Sequence, residues 1–335
     1  MAHLGIADKD AEYRSSEVIA HTTGIDVVLD GHSHSVIPSK EYKNAKGEAV
    51  IMTSTGTRMQ SFGKLTIDPE GKITTELISD YEKKDEEIQT WITDIENVYA
   101  GFLGEPKFTL AEEMSIKDEA GIRIVRSRET GIGNFVADAY REAMGADIGM
   151  CNGGGIRETL PQGEVSELDL INVNPFGNKL CMIEVTGREI LDMMEFFYSH
   201  CASEYKKDGV AVGESGSFQQ LSGIKCVVDT SVTPDIVLDS EDNLVSVGTR
   251  RRVSEVQVLE NGEYVPIKPE KTYTLAANDY MAKNGGCGML SFLADHKLLV
   301  EDAIADYEAL LNYATNSLNG DLSRYYTTEG RIVIK

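Results

Sequence analysis

Short apolar runs alternate with amphipathic stretches along the chain, the pattern of strands and helices laid in sequence. Residues Tyr13 to Thr22 read as a helix with Val18, Ile19 and Ala20 on one side. Gly24-Ile25-Asp26 then turns into Val27-Val28-Leu29, a run that suits a buried strand, and Gly31-His32-Ser33-His34 follows at its carboxyl end. In open α/β sheets that edge is where ligands bind. Ala49 to Thr53 and Phe62 to Ile67 read as two more strands, with Asp68-Pro69-Glu70-Gly71 as a turn. Across Ser79 to Ala100 the character changes. Acidic residues and Lys surround Ile88, Trp91, Ile92, Ile95 and Val98 at helical spacing, which predicts one amphipathic helix packed on a neighbour.

Beyond it the α/β order returns. Gly133 to Met144 predicts a helix with Phe135, Val136, Ala139, Tyr140 and Ala143 inward. Asp147 to Cys151 is a strand, and Asn152-Gly153-Gly154-Gly155-Ile156-Arg157 is the loop after it. Leu180 to Val185 is a strand, and Thr186-Gly187 opens a helix from Arg188 to Tyr198. Strands are expected at Ile224 to Val228, Val253 to Leu259 and Thr272 to Ala276, then a Gly-rich loop from Asn278 to Met289 and a late helix from Ala303 to Ala314. There is no internal repeat and no low-complexity tract.

The length of 335 residues suggests about two domains. A hydrophobic share of 41% and a charged share of 26% are ordinary for a folded protein and exclude a disordered or collagen-like chain. With 32 basic against 55 acidic residues the net charge is −23, which argues against a nucleic-acid partner and against polybasic docking to lipid. A pair of Arg can still hold a small anion inside an acidic protein. No window approaches 18 consecutive apolar residues, so no transmembrane helix is expected. Met1 to Asp10 lacks the basic start and apolar run of a signal peptide. The five Cys form no C-x-x-C pair; reduced, mostly buried thiols are expected.

Four stretches carry candidate chemistry. His32 and His34 in a tight loop can share a site, and neutral imidazole suits zinc, manganese, iron or nickel. His3, after an apparent strand end, can meet them at the same sheet edge; the carboxylates near them are Asp8, Asp10, Asp26 and Asp30. A solvated loop is the plain alternative. Three consecutive Gly in Asn152 to Arg157 let backbone approach a ligand closely, and Arg157 can fork onto a phosphate or carboxylate. In Arg126-Ser127-Arg128-Glu129-Thr130 one Arg is expected to pair with Glu129, with Thr130 as a helix cap. Phe176, in Asn174-Pro175-Phe176-Gly177-Asn178, and Tyr280, beside Asn284-Gly285-Gly286-Cys287-Gly288, can sandwich a planar ring or else anchor their turns in the core. Arg250-Arg251-Arg252 is expected to be solvated.

In order and spacing, Arg126 to Asn134, Asn152 to Arg157, Asn174 to Asn178 and Asn278 to Gly288 resemble the C-terminal domain of the 5′-nucleotidases, a family that includes bacterial UDP-sugar hydrolases and 2′,3′-cyclic phosphodiesterases. His3-Leu4-Gly5 and Gly24 to His34 resemble the tail of that family's metallophosphoesterase domain. The resemblance implies an α/β (α+β) fold: a remnant of the metallophosphoesterase sandwich over residues 1–79, a connector helix over 80–103, and a substrate-binding domain with mixed sheet and helices over 104–335. It implies that Arg126, Asn152 and Arg157 hold the sugar or phosphate of a nucleotide, that Phe176 and Tyr280 stack on the base, and that Gly154, Asn178 and Cys287 also belong to the substrate-binding set. Cys287 stands where the family has an Asp, which changes the hydrogen bonds offered to the nucleoside. His3 and His32 would ligate one divalent ion (zinc, manganese or cobalt) and His34 a second. The family's catalytic motifs are expected upstream of His3, so that Met1 opens a fragment or a misassigned start, inactive by itself. The implied activity is hydrolysis of nucleoside 5′-phosphates, UDP-sugars or cyclic nucleotides in an extracellular, periplasmic or cell-surface setting. The alternative is a nucleotide-binding or nucleoside-binding module without catalysis.

Overall fold

The computed structural model describes residues 1–6, 14–207, 210–239, 243–288 and 297–335. Asp8, Asp10, Tyr13 and Met289 lie outside the described residues. The chain divides into two compact units, Met1–Thr93 and Asp94–Lys335.

The first unit contains α1 (Ser15–His21), β1 (Val27–Asp30), β2 (Val36–Lys43), β3 (Ala49–Thr55), β4 (Phe62–Ile67) and β5 (Ile73–Ile78). Strand β3 lies between β1, which runs parallel to it, and β2, which runs antiparallel. Ile19, Val28, Val50 and Met52 form a small core there. Strands β4 and β5 make a separate antiparallel ribbon, closed by a turn in which Lys72 N–H donates to Asp68 Oδ1 at 2.8 Å and Gly71 takes the left-handed φ of 83°. The expected amphipathic helix is α2 (Glu86–Leu103). Its Ile88, Trp91, Ile92, Ile95 and Val98 are all exposed, so the neighbour expected to cover them is not found among the described residues.

The second unit follows the order β6 (Pro106–Leu110), α3 (Gly131–Met144), β7 (Ile148–Asn152), β8 (Gly163–Ser166), α4 (Glu167–Val173), β9 (Leu180–Thr186), α5 (Gly187–Phe197), β10 (Lys206–Lys207), β11 (Val210–Ala211), β12 (Gln219–Ser222), β13 (Ile224–Val228), β14 (Ile236–Leu238), β15 (Leu244–Val247), β16 (Val253–Glu260), β17 (Glu263–Pro266), β18 (Thr272–Asn278), α6 (Asp279–Ala282), β19 (Leu298–Val300), α7 (Asp306–Asn312) and β20 (Ile332–Ile334). A five-stranded mixed sheet in the order β12-β7-β18-β9-β19 is its frame. Only the β7–β18 contact is parallel. Successive residues of these strands face opposite cores. Met150, Ile183 and Leu275 pack with α5 residues such as Ile190 and Met194, whereas Cys151, Leu180 and Ala276 pack with Phe135, Val136 and Leu310 of α3 and α7. Burial on both sides explains why β7 and β18 read as continuous apolar runs. A second sheet, β17-β16-β13-β20, extends the first of these cores.

Local chemistry sets the helix starts. Thr130 Oγ1 accepts the Gly133 N–H at 3.1 Å, the cap expected for α3. Ser166 with Asp169, and Thr186 with Glu189, form reciprocal capping boxes on α4 and α5. The expectation that Arg250-Arg251-Arg252 is solvated fails at Arg252. Arg252 is 3% exposed, and its guanidinium donates to the carbonyls of Tyr198, Ser199 and Cys201, satisfying the end of α5. Glu129 serves Asn134 Nδ2 and the Glu329 and Ile332 N–H groups, while Arg128 donates to the carbonyls of Ser127, Ala202 and Ser203. The thiols are free, four buried and Cys287 half-buried.

Candidate functional site

The sequence-predicted substrate residues all lie in the second unit, where the carboxyl ends of β7 and β18 meet the turn that enters β9. Strand β7 ends in Asn152 and runs into the three glycines. A Cβ on Gly153 would lie 2.3 Å from the Val125 carbonyl oxygen and 3.1 Å from Arg126 Cα. One on Gly154 would lie 2.8 Å from the Gly216 carbonyl oxygen. The glycines are thus required for close packing of main chain on main chain, not by an unusual φ. Their N–H groups are spent inside the protein: Gly153 on Phe218 O at 2.7 Å, Gly154 on Gly216 O at 3.0 Å, and Gly155 on Asn152 O at 2.8 Å. The three glycine amides are therefore not available to a ligand.

The Gly216 carbonyl is the hub. It accepts from Gly154 N–H, from Asn152 Nδ2 at 3.3 Å and from the Cys287 thiol at 3.9 Å. Asn152 Oδ1 in turn accepts from Asn278 Nδ2 at 3.2 Å. Arg126 joins the same cluster through its carbonyl, which accepts the Ser215 N–H at 2.9 Å. Loops 126, 152–157, 215–217 and 278–288 are tied together in this way. Cys287 reaches the hub with φ 58°, a left-handed conformation uncommon for a side-chain-bearing residue.

Arg157 is anchored by its N–H on Val173 O at 2.8 Å and by Nη1 on Gly154 O at 3.3 Å. Its guanidinium lies 5.5 Å from the centroid of Phe176, within cation–π range. Phe176 is 59% exposed on a turn completed by Gly177 at φ 66°, so it is not a core anchor. Tyr280 is 46% exposed, and its ring lies on Gly286, where a Cβ would come within 2.4 Å of it. Burial of its hydroxyl and the Cys287 sulfur raise the Tyr280 phenol above its usual pKa, so the ring stays neutral. A shallow cavity lined by Lys107, Thr109, Thr315 and Asn319 shares none of these residues.

Two residues of the site were missed in the sequence because nothing marks them there. One is Gly216, the hub. The other is Asp306, fully buried at the start of α7, whose N–H donates to the carbonyl of Asn178 at 3.0 Å. Its Oδ1 accepts the Tyr307 N–H, but Oδ2 has no hydrogen-bond partner. Burial pushes this carboxyl up to about 6, only partly offset by the Tyr307 N–H. A folded pKa above the unfolded value of about 3.9 means that the native state holds the extra proton between those values, so this group's contribution falls as pH rises from about 4 to 6. Asp306→Asn is therefore expected to raise stability by roughly 1–3 kcal/mol at pH 7.5 and to change little at pH 3.5. Thermal melts at the two pH values check this.

In the first unit, the His3 and His32 rings meet edge to face, 5.1 Å between centroids. His32 and His34 both take left-handed φ, 63° and 54°. Asp30 Oδ1 accepts the N–H groups of Leu4 and Gly5, which holds the His3 segment against β1, and its Oδ2 is buried without a partner. Among the described residues no group of three His, Cys, Asp or Glu is placed to hold a metal ion. Two imidazoles are fewer donors than a zinc or manganese site needs, so the described residues do not make up a metal centre.

No described helix is long and apolar enough to cross a membrane. The family model for the 5′-nucleotidase C-terminal domain matches residues 109–292, more than half of the chain. The trifunctional nucleotide phosphoesterase protein YfkN of Bacillus subtilis is 27% identical over 289 residues, covering 81% of this chain and 18% of that protein. An apyrase of Tabanus yao is 25% identical, covering 95% of this chain and 57% of that protein. This chain thus spans between about a fifth and three fifths of the length of those relatives. A 5′-nucleotidase precursor from Thermus thermophilus has the same fold at a TM-score of 0.73 and 23% identity, over 95% of this chain and 61% of that one. The shared mixed α/β fold and the matched family model agree: the chain belongs to the 5′-nucleotidase C-terminal domain family, a family of nucleotide phosphoesterases.

Proposed function

We propose that this chain supplies the nucleotide-binding part of a nucleotide phosphohydrolase, acting on nucleoside 5′-phosphates or on the related UDP-sugars and cyclic nucleotides. The observation that carries the reading is the Arg157 guanidinium 5.5 Å from the exposed Phe176 ring, with the half-exposed Tyr280 on helix α6 beside the same cluster. A cation beside a stacking surface suits an anionic sugar joined to a flat base. In this reading Arg126 and Arg157 hold the phosphate or ribose, and Phe176 and Tyr280 clamp the base. Asn152, Gly154, Asn178 and Cys287 keep the loops at the spacing the ligand needs. Residues 104–335 act as the substrate domain, 80–103 as a connector and 1–79 as the remainder of a metallophosphoesterase domain. Divalent ions belong to the reading as partners of His3, His32 and His34, where they would supply Lewis-acid polarisation of the phosphoryl group. An exported setting rests on the family resemblance.

In a second reading this polypeptide binds nucleotides without turnover, since the residues assigned to the substrate all lie in the unit Asp94–Lys335. The experiment measures phosphate release from AMP, UMP, UDP-glucose and 2′,3′-cyclic AMP with manganese, beside calorimetric titration with AMP. Heat with AMP and no phosphate release supports the binding module for this polypeptide. Release supports the hydrolase. Neither heat nor release with any of the four overturns both.

A further inference from the structure

Phe176, on the turn that enters β9, and Tyr280, in helix α6 that follows β18, lie at the same end of two neighbouring antiparallel strands. β9 and β18 pair from Thr186↔Thr272 to Leu180↔Asn278. Phe176 lies just before this end of β9, and Tyr280 just after this end of β18. The pairing continues one step past the last rung, because Asp279 N–H donates to Lys179 O at 2.7 Å. The reciprocal main-chain bond cannot form: the Asp279 carbonyl is taken by the N–H groups of Lys283 and Asn284 as α6 winds up. The Asp279 side chain replaces it. Its Oδ1 accepts the Lys179 N–H at 3.2 Å and the Tyr280 N–H at 2.9 Å. One carboxylate oxygen therefore holds both the arm leading back to Phe176 and the main chain of Tyr280. On its far side the same arm is held by the Asp306 N–H on Asn178 O and by a bridge between Lys179 and Ala305.

We infer that Asp279 is a positioning residue that sets the separation of the Phe176 and Tyr280 rings, and thereby how firmly the site grips a planar heterocycle. The inference rests on the nucleotide reading above and goes beyond it, because Asp279 acts through Lys179 and Tyr280 main chain.

Calorimetry of the full chain with adenosine and with ribose 5-phosphate tests it on Asp279→Ala, Asp279→Asn, Tyr280→Ala and the double variant Asp279→Ala/Tyr280→Ala. Asp279→Ala is expected to weaken adenosine binding about tenfold, while in the Tyr280→Ala background the same change adds less than about twofold. Asp279→Asn, whose amide oxygen accepts the same two N–H groups, is expected to restore adenosine affinity to within about threefold. Ribose 5-phosphate, which has no base, is expected to bind Asp279→Ala as it binds the parent. Equal losses in both backgrounds, an equal loss for ribose 5-phosphate, or failure of the Asn variant to restore binding overturns the inference while leaving the nucleotide reading standing. A parent chain that binds neither probe overturns the nucleotide reading itself, and this inference with it.

Discussion

Replacing both Phe176 and Tyr280 by alanine is expected to weaken adenosine binding by at least about thirtyfold, since each stacked base contributes roughly 1–3 kcal/mol. Both rings are about half exposed, 59% and 46%, so neither supports the core. The double variant is expected to keep its thermal stability to within roughly 0.5 kcal/mol, as surface substitutions usually do. That separation makes the test clean: calorimetry reads the ligand and a melt reads the fold. Phe176→Ala alone also removes the surface beside the Arg157 guanidinium. Arg157 then loses one of the contacts that orient it, and binding of AMP is expected to suffer more than binding of adenosine. A loss smaller than about threefold in the double variant would remove the rings from the site.

The largest expected effect on stability comes from Arg331→Leu, about 3–5 kcal/mol in urea denaturation at pH 7. The Arg331 side chain is 5% exposed. Its guanidinium makes paired bonds to Asp138 at 2.7 and 2.8 Å, and donates to Glu329 at 2.7 Å and to Leu221 O at 2.6 Å. Asp138 also accepts the Tyr325 hydroxyl at 2.7 Å, so the pair fastens α3 to the chain just before β20 and to the end of β12. Burial pushes the Asp138 carboxyl up, and the Arg331 hydrogen bonds and charge more than offset it, holding the group below its usual value. Its stabilisation is therefore present above the unfolded pKa and is lost as pH falls through the lower folded one. Without Arg331 the burial cost is offset only by the Tyr325 and Ser222 hydroxyls, so the carboxyl titrates higher than in the parent. The gap between parent and variant should narrow as pH falls from 7 towards 4. A gap that stays constant over that range would show that Asp138 is not the group left uncompensated.

The legible part of the fold follows local rules. Strands β7 and β9 and helices α3 and α5 were readable because their apolar period is local and their caps, Thr130 and Thr186, are written beside them. Strands β2, β5 and β12 were not, since β2 exposes most of its residues, β5 has none fully buried, and β12 (Gln219–Ser222) is polar yet fully buried. Gln220 shows why: its Nε2 donates to the carbonyls of Val125 and Arg128, nearly a hundred residues away, so its polarity is satisfied by a partner that no window contains. Arg252 escaped for the same reason. Between Arg250 and Arg251 on one side and Val253 on the other, only the position of the α5 carboxyl end turns it inward.

By itself the sequence determined which residue types stand where chemistry is needed: two arginines, two aromatic turns and three glycines, in an order that identifies the family. Tertiary structure alone decided what those glycines are for. Their space is filled by the main chain of 125–126, 152 and 216, and their amides are consumed by main-chain carbonyls. It also decided that Phe176 faces outward beside Arg157, and that the carboxylate of Asp279 links the arms bearing the two rings. Periodicity is a property of neighbours along the chain, whereas hydrogen-bond satisfaction and close packing join residues tens to hundreds of positions apart, and only folding brings those into register.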